Sequence, residues 1–245
     1  TENFLLYIGK ILNMEYGKIL KLGVTEFRRF SDFVLANNKK LTSHVFSSEY
    51  SKVKRGFLAG NTRDQFCSEA EQFATRLAEQ KSNDFAGIVY SDLCKLSEFT
   101  PKALEKYAFQ GYEAARANGD YIHMMARLND LRKIYMHRPE KLYDYIQVLY
   151  KQEKCLKQLA RHYDSAVDTF QSVSRKPAKK EDYEQMLAYV QTEIGKLTKK
   201  KHPNDAHRKL LSARAIFEHY QNVPSIKYID MLLKEIEKAQ KQVNK

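Results

Sequence analysis

The stretch NGDYIHMMARLNDLRKIYMHRPEKLYDYIQVLY, residues 118–150, holds a whole helical hairpin and decides the class of the chain. Asn118-Gly119 is a favoured helix stop, because glycine accepts the left-handed backbone that closes a helix. Asp120 follows as a cap. Tyr121, Met124, Met125, Leu128, Leu131 and Tyr135 then recur at steps of three and four, which draws one apolar stripe along a helix. Pro139 opens a partner helix, where the amide it lacks would have had no intrahelical partner, with Leu142, Ile146 and Leu149 inward.

Outward from this hairpin the punctuation repeats. Prolines 101, 139, 177 and 224 stand 38, 38 and 47 positions apart, a spacing within the range of helical-hairpin repeats. The preceding hairpin is expected over residues 84–99 and 101–118. A third resumes at Leu156, after its inward stripe lapses at Lys151 to Lys154, and pairs with a helix over 181–197. The last spans 205–221 and 224–242, the latter with Ile226, Tyr228, Ile229, Leu232, Leu233 and Ile236. Toward the amino terminus, Phe4 to Leu20 carries a helical stripe, Thr25 caps a second helix, and Gly60-Asn61-Thr62 stops one helix and starts another. Residues 42–58 are ambiguous, because serines and β-branched residues weaken the helical pattern.

The expectation is an all-α chain of antiparallel helical hairpins stacked as an α-solenoid, with an amino-terminal helical cap or bundle over 1–82 and the repeat region over 83–245. The composition agrees: 43% hydrophobic residues suffice for a core, while only nine glycines and five prolines argue against a loop-rich β fold. Sixteen tyrosines and 13 phenylalanines, with no tryptophan, are expected to fill seams between helices.

The segment from Gly119-Asp120-Tyr121 to Tyr145 resembles the tetratricopeptide repeats of about 40 residues. Leu128, Asn129, Leu131 and Tyr135 fall on that family's L-N-x-L-x-x-x-Y pattern, and Tyr163, Ala166 and Phe170 on its Y-x-x-A-x-x-x-F pattern. Ala103 to Arg116 looks like the second helix of a preceding repeat. Arg132 stands where a small residue is usual, and His137-Arg138-Pro139 replaces a glycine-containing turn. The resemblance implies a concave groove, here residues 84–222, that binds a peptide or partner helix. It places Asn129 to bond a ligand backbone and Arg132 and Lys133 to supply charge beside it.

The net charge of +12, from 42 basic and 30 acidic residues, permits an acidic partner. Lys199 to Lys201 close a helix, where cations suit the carbonyl end. Lys179 and Lys180 open one, which makes them a candidate anion site with the helix amides. The reading is thus a non-enzymatic scaffold or adaptor for a protein or peptide. Nucleic-acid binding through the basic patches is the rival class.

No H-E-x-x-H, paired cysteine ligands, phosphate-binding glycine loop or nucleophile elbow occurs, so neither metal, cofactor nor catalytic residue is expected. The three cysteines, Cys67, Cys94 and Cys155, read as buried reduced thiols. With no apolar run long enough to span a membrane, the expected location is cytoplasmic.

Overall fold

The computed structural model describes residues 23–98, 100–163 and 179–243, with side chains through 241. Among the described residues there are ten α-helices and no strand, each helix packing against the next within its unit. The chain divides into two compact units, Thr1–Gly119 and Asp120–Lys245. The stripe from Phe4 to Leu20, Ala166, Phe170 and Pro177 lie outside the described residues.

In the first unit are α1 (Val24–Asn37), α2 (Ser43–Gly60), α3 (Arg63–Glu79), α4 (Asn83–Leu96) and α5 (Pro101–Ala117). Helix α1 begins before Thr25: Gly23 is its cap, and the Gly23 N–H donates to the Glu26 carboxylate at 2.9 Å. The ambiguous residues 42–58 prove helical. Phe46, Tyr50, Val53 and Phe57 return at steps of four, three and four and are all buried, a burial that outweighs the low propensity of the serines. Thr42 caps α2 by accepting from the Val45 N–H, and Ser51 bonds back to the Ser47 carbonyl. Thr62 and Gln65 form a reciprocal capping box at the start of α3, as Gly60-Asn61-Thr62 implies.

The core of this unit is aromatic. Phe27 meets Phe57, Phe66 and Phe73 edge-on, with ring centroids 5.6, 5.5 and 6.0 Å apart. Phe46 stacks on Phe85 at 4.4 Å. Each fully buried ring contributes about 1.5–3 kcal/mol, and edge contacts add to that.

Polar bridges order the helices into two layers. Arg28 donates twice to Glu69, and Arg76 pairs with Asp32, so α1 and α3 run parallel. Ser43 to Asp84 and Lys54 to Asp92 do the same for α2 and α4. Tyr107 donates to Glu71 at 3.0 Å, linking α5 to α3. Alternate helices are therefore parallel neighbours, and bridged residues lie 35 to 44 positions apart, one hairpin's length.

The second unit contains α6 (Tyr121–Tyr135), a 3-10 turn at Pro139–Lys141, α7 (Leu142–Arg161), α8 (Lys180–Thr198), α9 (Pro203–His219) and α10 (Val223–Val243). Gly119 has φ +67°, as its stop demands, and the Asp120 carboxylate accepts from the His123 N–H at 3.0 Å. Of the stripe read on α6, Met124, Met125, Leu128 and Leu131 are buried and Tyr121 and Tyr135 half-buried, while Ile122, Arg127 and Ile134 are buried besides. Two differences stand out. Leu142 is exposed, because Pro139 opens a 3-10 turn and the buried face of α7 starts at Tyr145. The expected break at Lys151 to Lys154 is also absent, since α7 continues unbroken to Arg161 with Gln152 and Glu153 buried in it. The lapse in apolar pattern marks a polar core, not a helix boundary.

The layering of this unit follows the same rule. Tyr150 donates to Asp205 and Lys209 to Glu153, so α7 and α9 are parallel neighbours. Arg132 pairs with Glu193 and Lys199 with Glu235, which puts α6, α8 and α10 in the other layer. The α7–α9 and α6–α8 bridges span 55 to 61 positions, because the chain between Arg161 and Lys180 intervenes. Gly195 on α8 lets α9 approach closely: a Cβ there would stand 2.7 Å from Leu210 Cγ.

Candidate protein-docking face

Of the residues read as groove anchors, two are held inside the second unit. The Asn129 side-chain oxygen accepts from Gln152 Nε2 at 2.7 Å. Arg132 donates to Glu193, whose other oxygen accepts from the Tyr145 hydroxyl. Lys133, next in sequence, is exposed. The fold brings Asn129 and Arg132 into a polar seam that runs through the helices, while Lys133 stands outside it.

The centre of that seam is Glu153. Its carboxylate, with the side chain 5% exposed, accepts from Lys209 at 2.6 and 2.7 Å, from Gln191 Nε2 at 3.1 Å, and pairs with Lys157 at 2.8 Å. Burial by itself would raise the Glu153 pKa, but the bonds from Lys157, Lys209 and Gln191 outweigh it and hold the pKa below the ordinary carboxylate value. Nearby hydroxyls move the other way. Burial and then the bond to Glu193 push Tyr145 to about 12, and burial with the bond to Asp205 does the same for Tyr150. Burial raises the Cys155 thiol to about 11. Each of these shifts reinforces the protonation state that the group holds near neutral pH. Among the described residues no cluster of three potential metal ligands occurs.

Large apolar side chains face solvent at several places, among them Phe109 on α5, Leu142 and Tyr143 on α7 and Leu211 on α9; those on α8 and α10 share one layer. Opposite its buried side, α8 exposes Met186, Tyr189 and Lys196, at spacings that place them on one face, and Lys200 is exposed in the turn that follows. Helix α10 exposes Tyr228 and Met231 among lysines. The two helices are joined at one end by Asn222 donating to the Tyr189 hydroxyl at 3.2 Å and toward the other by Lys199 and Glu235. Tyr189 also rests edge-on against Phe217 at 4.9 Å, so this exposed ring is fixed in place. Beyond the Lys199–Glu235 pair a cleft of about 780 Å³ opens, lined by Lys199, Lys200, Asn204 and Gln240 among others.

The charge on this face is one-sided for a structural reason. Glu193 is neutralised by Arg132 and Glu235 by Lys199. Sequence patterning missed the face, because an exposed methionine or tyrosine cannot be told from a buried one before the helix is oriented. Lys179 and Lys180 lie apart from it, at the start of α8. There the Asp182 carboxylate already accepts from the Lys179 N–H at 2.7 Å, and Lys180 pairs with Glu184 at 3.7 Å.

In comparisons with known proteins, the chain matches no protein-family model, no curated protein and no solved structure.

Proposed function

We propose that the chain is a non-enzymatic, tetratricopeptide-like helical-repeat scaffold that binds a protein partner along the layer formed by α6, α8 and α10. The observation that carries this reading is the set of large apolar side chains held out to solvent on that layer: Met186 at 40% exposure, Tyr189 at 51%, Tyr228 at 40% and Met231 at 47%. Burying a side chain of this size on a partner stabilises a complex by about 1.5–3 kcal/mol if it is fully covered, and such residues are typical anchors of protein interfaces. The tetratricopeptide-like assignment is supported by the Gly119-Asp120 turn, by consecutive antiparallel helices, and by alternate helices bridged at about one hairpin's offset. Asn129 and Arg132 serve this surface from beneath, by tying α6 to α7 and to α8, and Lys133 remains available at its α6 edge.

The test is affinity purification of nuclease-treated extract with the wild-type chain and with Met186→Ala combined with Tyr228→Ala. A defined protein retained by the wild type and lost by the variant, at unchanged melting temperature, is the expected result. Recovery that disappears on nuclease treatment would overturn the reading in favour of nucleic-acid binding.

A further inference from the structure

Helix α10 carries the more specific information. Its buried residues Ile229, Leu232, Leu233 and Ile236 define one side. At 100° per residue, the opposite side is a stripe of Lys227, Met231, Lys234, Lys238 and Lys241. All five are exposed, and none of the four lysines forms an ion pair with a described residue. The stripe itself contains no carboxylate. Asp230 and Glu237 stand on one flank and Glu235 on the other, and Asp230 and Glu235 are already paired, with Arg214 and Lys199.

A solvated helix face in a stable fold ordinarily mixes both signs, because i to i+4 pairs of opposite charge stabilise it. Here lysines recur at i, i+7, i+11 and i+14 over about 21 Å of helix, and of the flanking carboxylates only Glu237 is without an ion pair among the described residues. A phosphate polymer would answer the charge alone, and arginine would be the better reader of it. The stripe instead has Met231 between its first two lysines, and Tyr228 stands beside it on the side toward α8. An apolar centre rimmed by cations complements a helix or extended segment whose apolar residues are flanked by carboxylates.

We propose that the outward face of α10 docks an acidic amphipathic segment of a partner protein. Apolar side chains of that segment cover Met231 and Tyr228, and its carboxylates meet Lys227, Lys234 and Lys238. This inference rests on the scaffold reading above and narrows it to one chemistry of partner. Lysine suits the role because a flexible ammonium accommodates carboxylates at varied positions, whereas arginine prefers fixed bidentate geometry.

Fluorescence anisotropy against four probes decides it: a peptide of about 20 residues with leucines at i, i+3 and i+7 and glutamates between them, the same composition scrambled, the striped peptide with glutamine for glutamate, and a mixed-sequence single-stranded RNA. The striped acidic peptide should bind the full chain. Lys227→Glu, Lys234→Glu and Lys238→Glu together should weaken it at least about tenfold and flatten its salt dependence. Met231→Ala with Tyr228→Ala should weaken it about fivefold and leave the salt dependence unchanged. Both variants should melt with the wild type. Equal binding of the glutamine peptide would overturn the acidic partner while leaving the scaffold reading standing. Equal binding of the scrambled peptide, or no binding of any peptide, would overturn the docking face. Tighter, lysine-dependent binding of the RNA with no peptide binding would overturn both.

Discussion

The two units solve the same packing problem with different interiors. The first, residues 1–119, carries 17 basic and 14 acidic side chains, and α1 to α4 close around phenylalanine rings. The second, residues 120–245, carries 25 basic and 16 acidic side chains, and its α6 to α9 close around Gln152, Glu153 and Gln191 as well as aliphatic residues. Rings give stability without demanding one register, because many edge contacts are nearly equivalent. A buried carboxylate with three named donors permits one arrangement only. The second unit therefore gives up apolar burial for a fixed relation among four helices, and it is the unit whose surface carries the proposed docking face.

That contrast can be broken most severely in the first unit. Phe73 lies 6.0, 6.1 and 6.2 Å from Phe27, Phe30 and Phe46 by ring centroid and is 2% exposed. Phe73→Ala should cost about 3–5 kcal/mol in denaturant unfolding. A cost under about 1 kcal/mol would show that the rings are not the core of its stability. In the second unit, Glu153→Ala should cost about 3 kcal/mol, because it strands Lys209 and Gln191 in the interior. Replacing Glu153 and Lys209 together by methionine should be much milder, since two desolvated charges leave at once. The seam has a pH signature too. Since the folded-state pKa of Glu153 is depressed from 4.5, its contribution is present above that value and is lost as pH falls through the lower folded value. Acid melting of Glu153→Gln should flatten in that range relative to wild type.

Smaller effects sharpen the picture. Gly195→Ala should cost about 1–3 kcal/mol, because the new methyl meets Leu210 and can be relieved only by moving α9 from α8. An unchanged melting temperature would mean that the α8–α9 contact is looser than its distance implies. Asp120→Ala should cost about 1 kcal/mol by removing the cap on His123. Burial opposes ionisation of Asp120, but the His123 side chain and backbone bonds lower its pKa from 3.8. This cap should therefore persist at mildly acidic pH and be lost only as pH falls below that value.

The sequence announces helix ends better than it announces what helices bury. Gly119, Asp120, Thr62 and Pro101 were legible because caps and stops depend on a few neighbouring atoms. The continuity of α7 was not, since Gln152 and Glu153 look like surface residues until Gln191, Asn129 and Lys209 arrive from three other helices. The same distance in sequence hid the roles of Asn129 and Arg132. Nor could the exposed face of α10 be read: Tyr228 fits an inward stripe by spacing, and only the position of Ile229 and Leu232 against α9 turns it outward.

The short reach of the bridges between alternate helices has a consequence for how the chain is made. In the first unit each spans 35 to 44 positions, so the loop to be closed is small and its entropic cost rises only with the logarithm of its length. A chain emerging from the ribosome can close Arg28 onto Glu69 before α5 has been synthesised. The second unit must wait longer, because Arg132 finds Glu193 only after 61 further positions have appeared. During that interval Arg132 and the α7 carboxylate at Glu153 both stand without their distant partners, and this half of the molecule is the one whose birth is most exposed to misassembly.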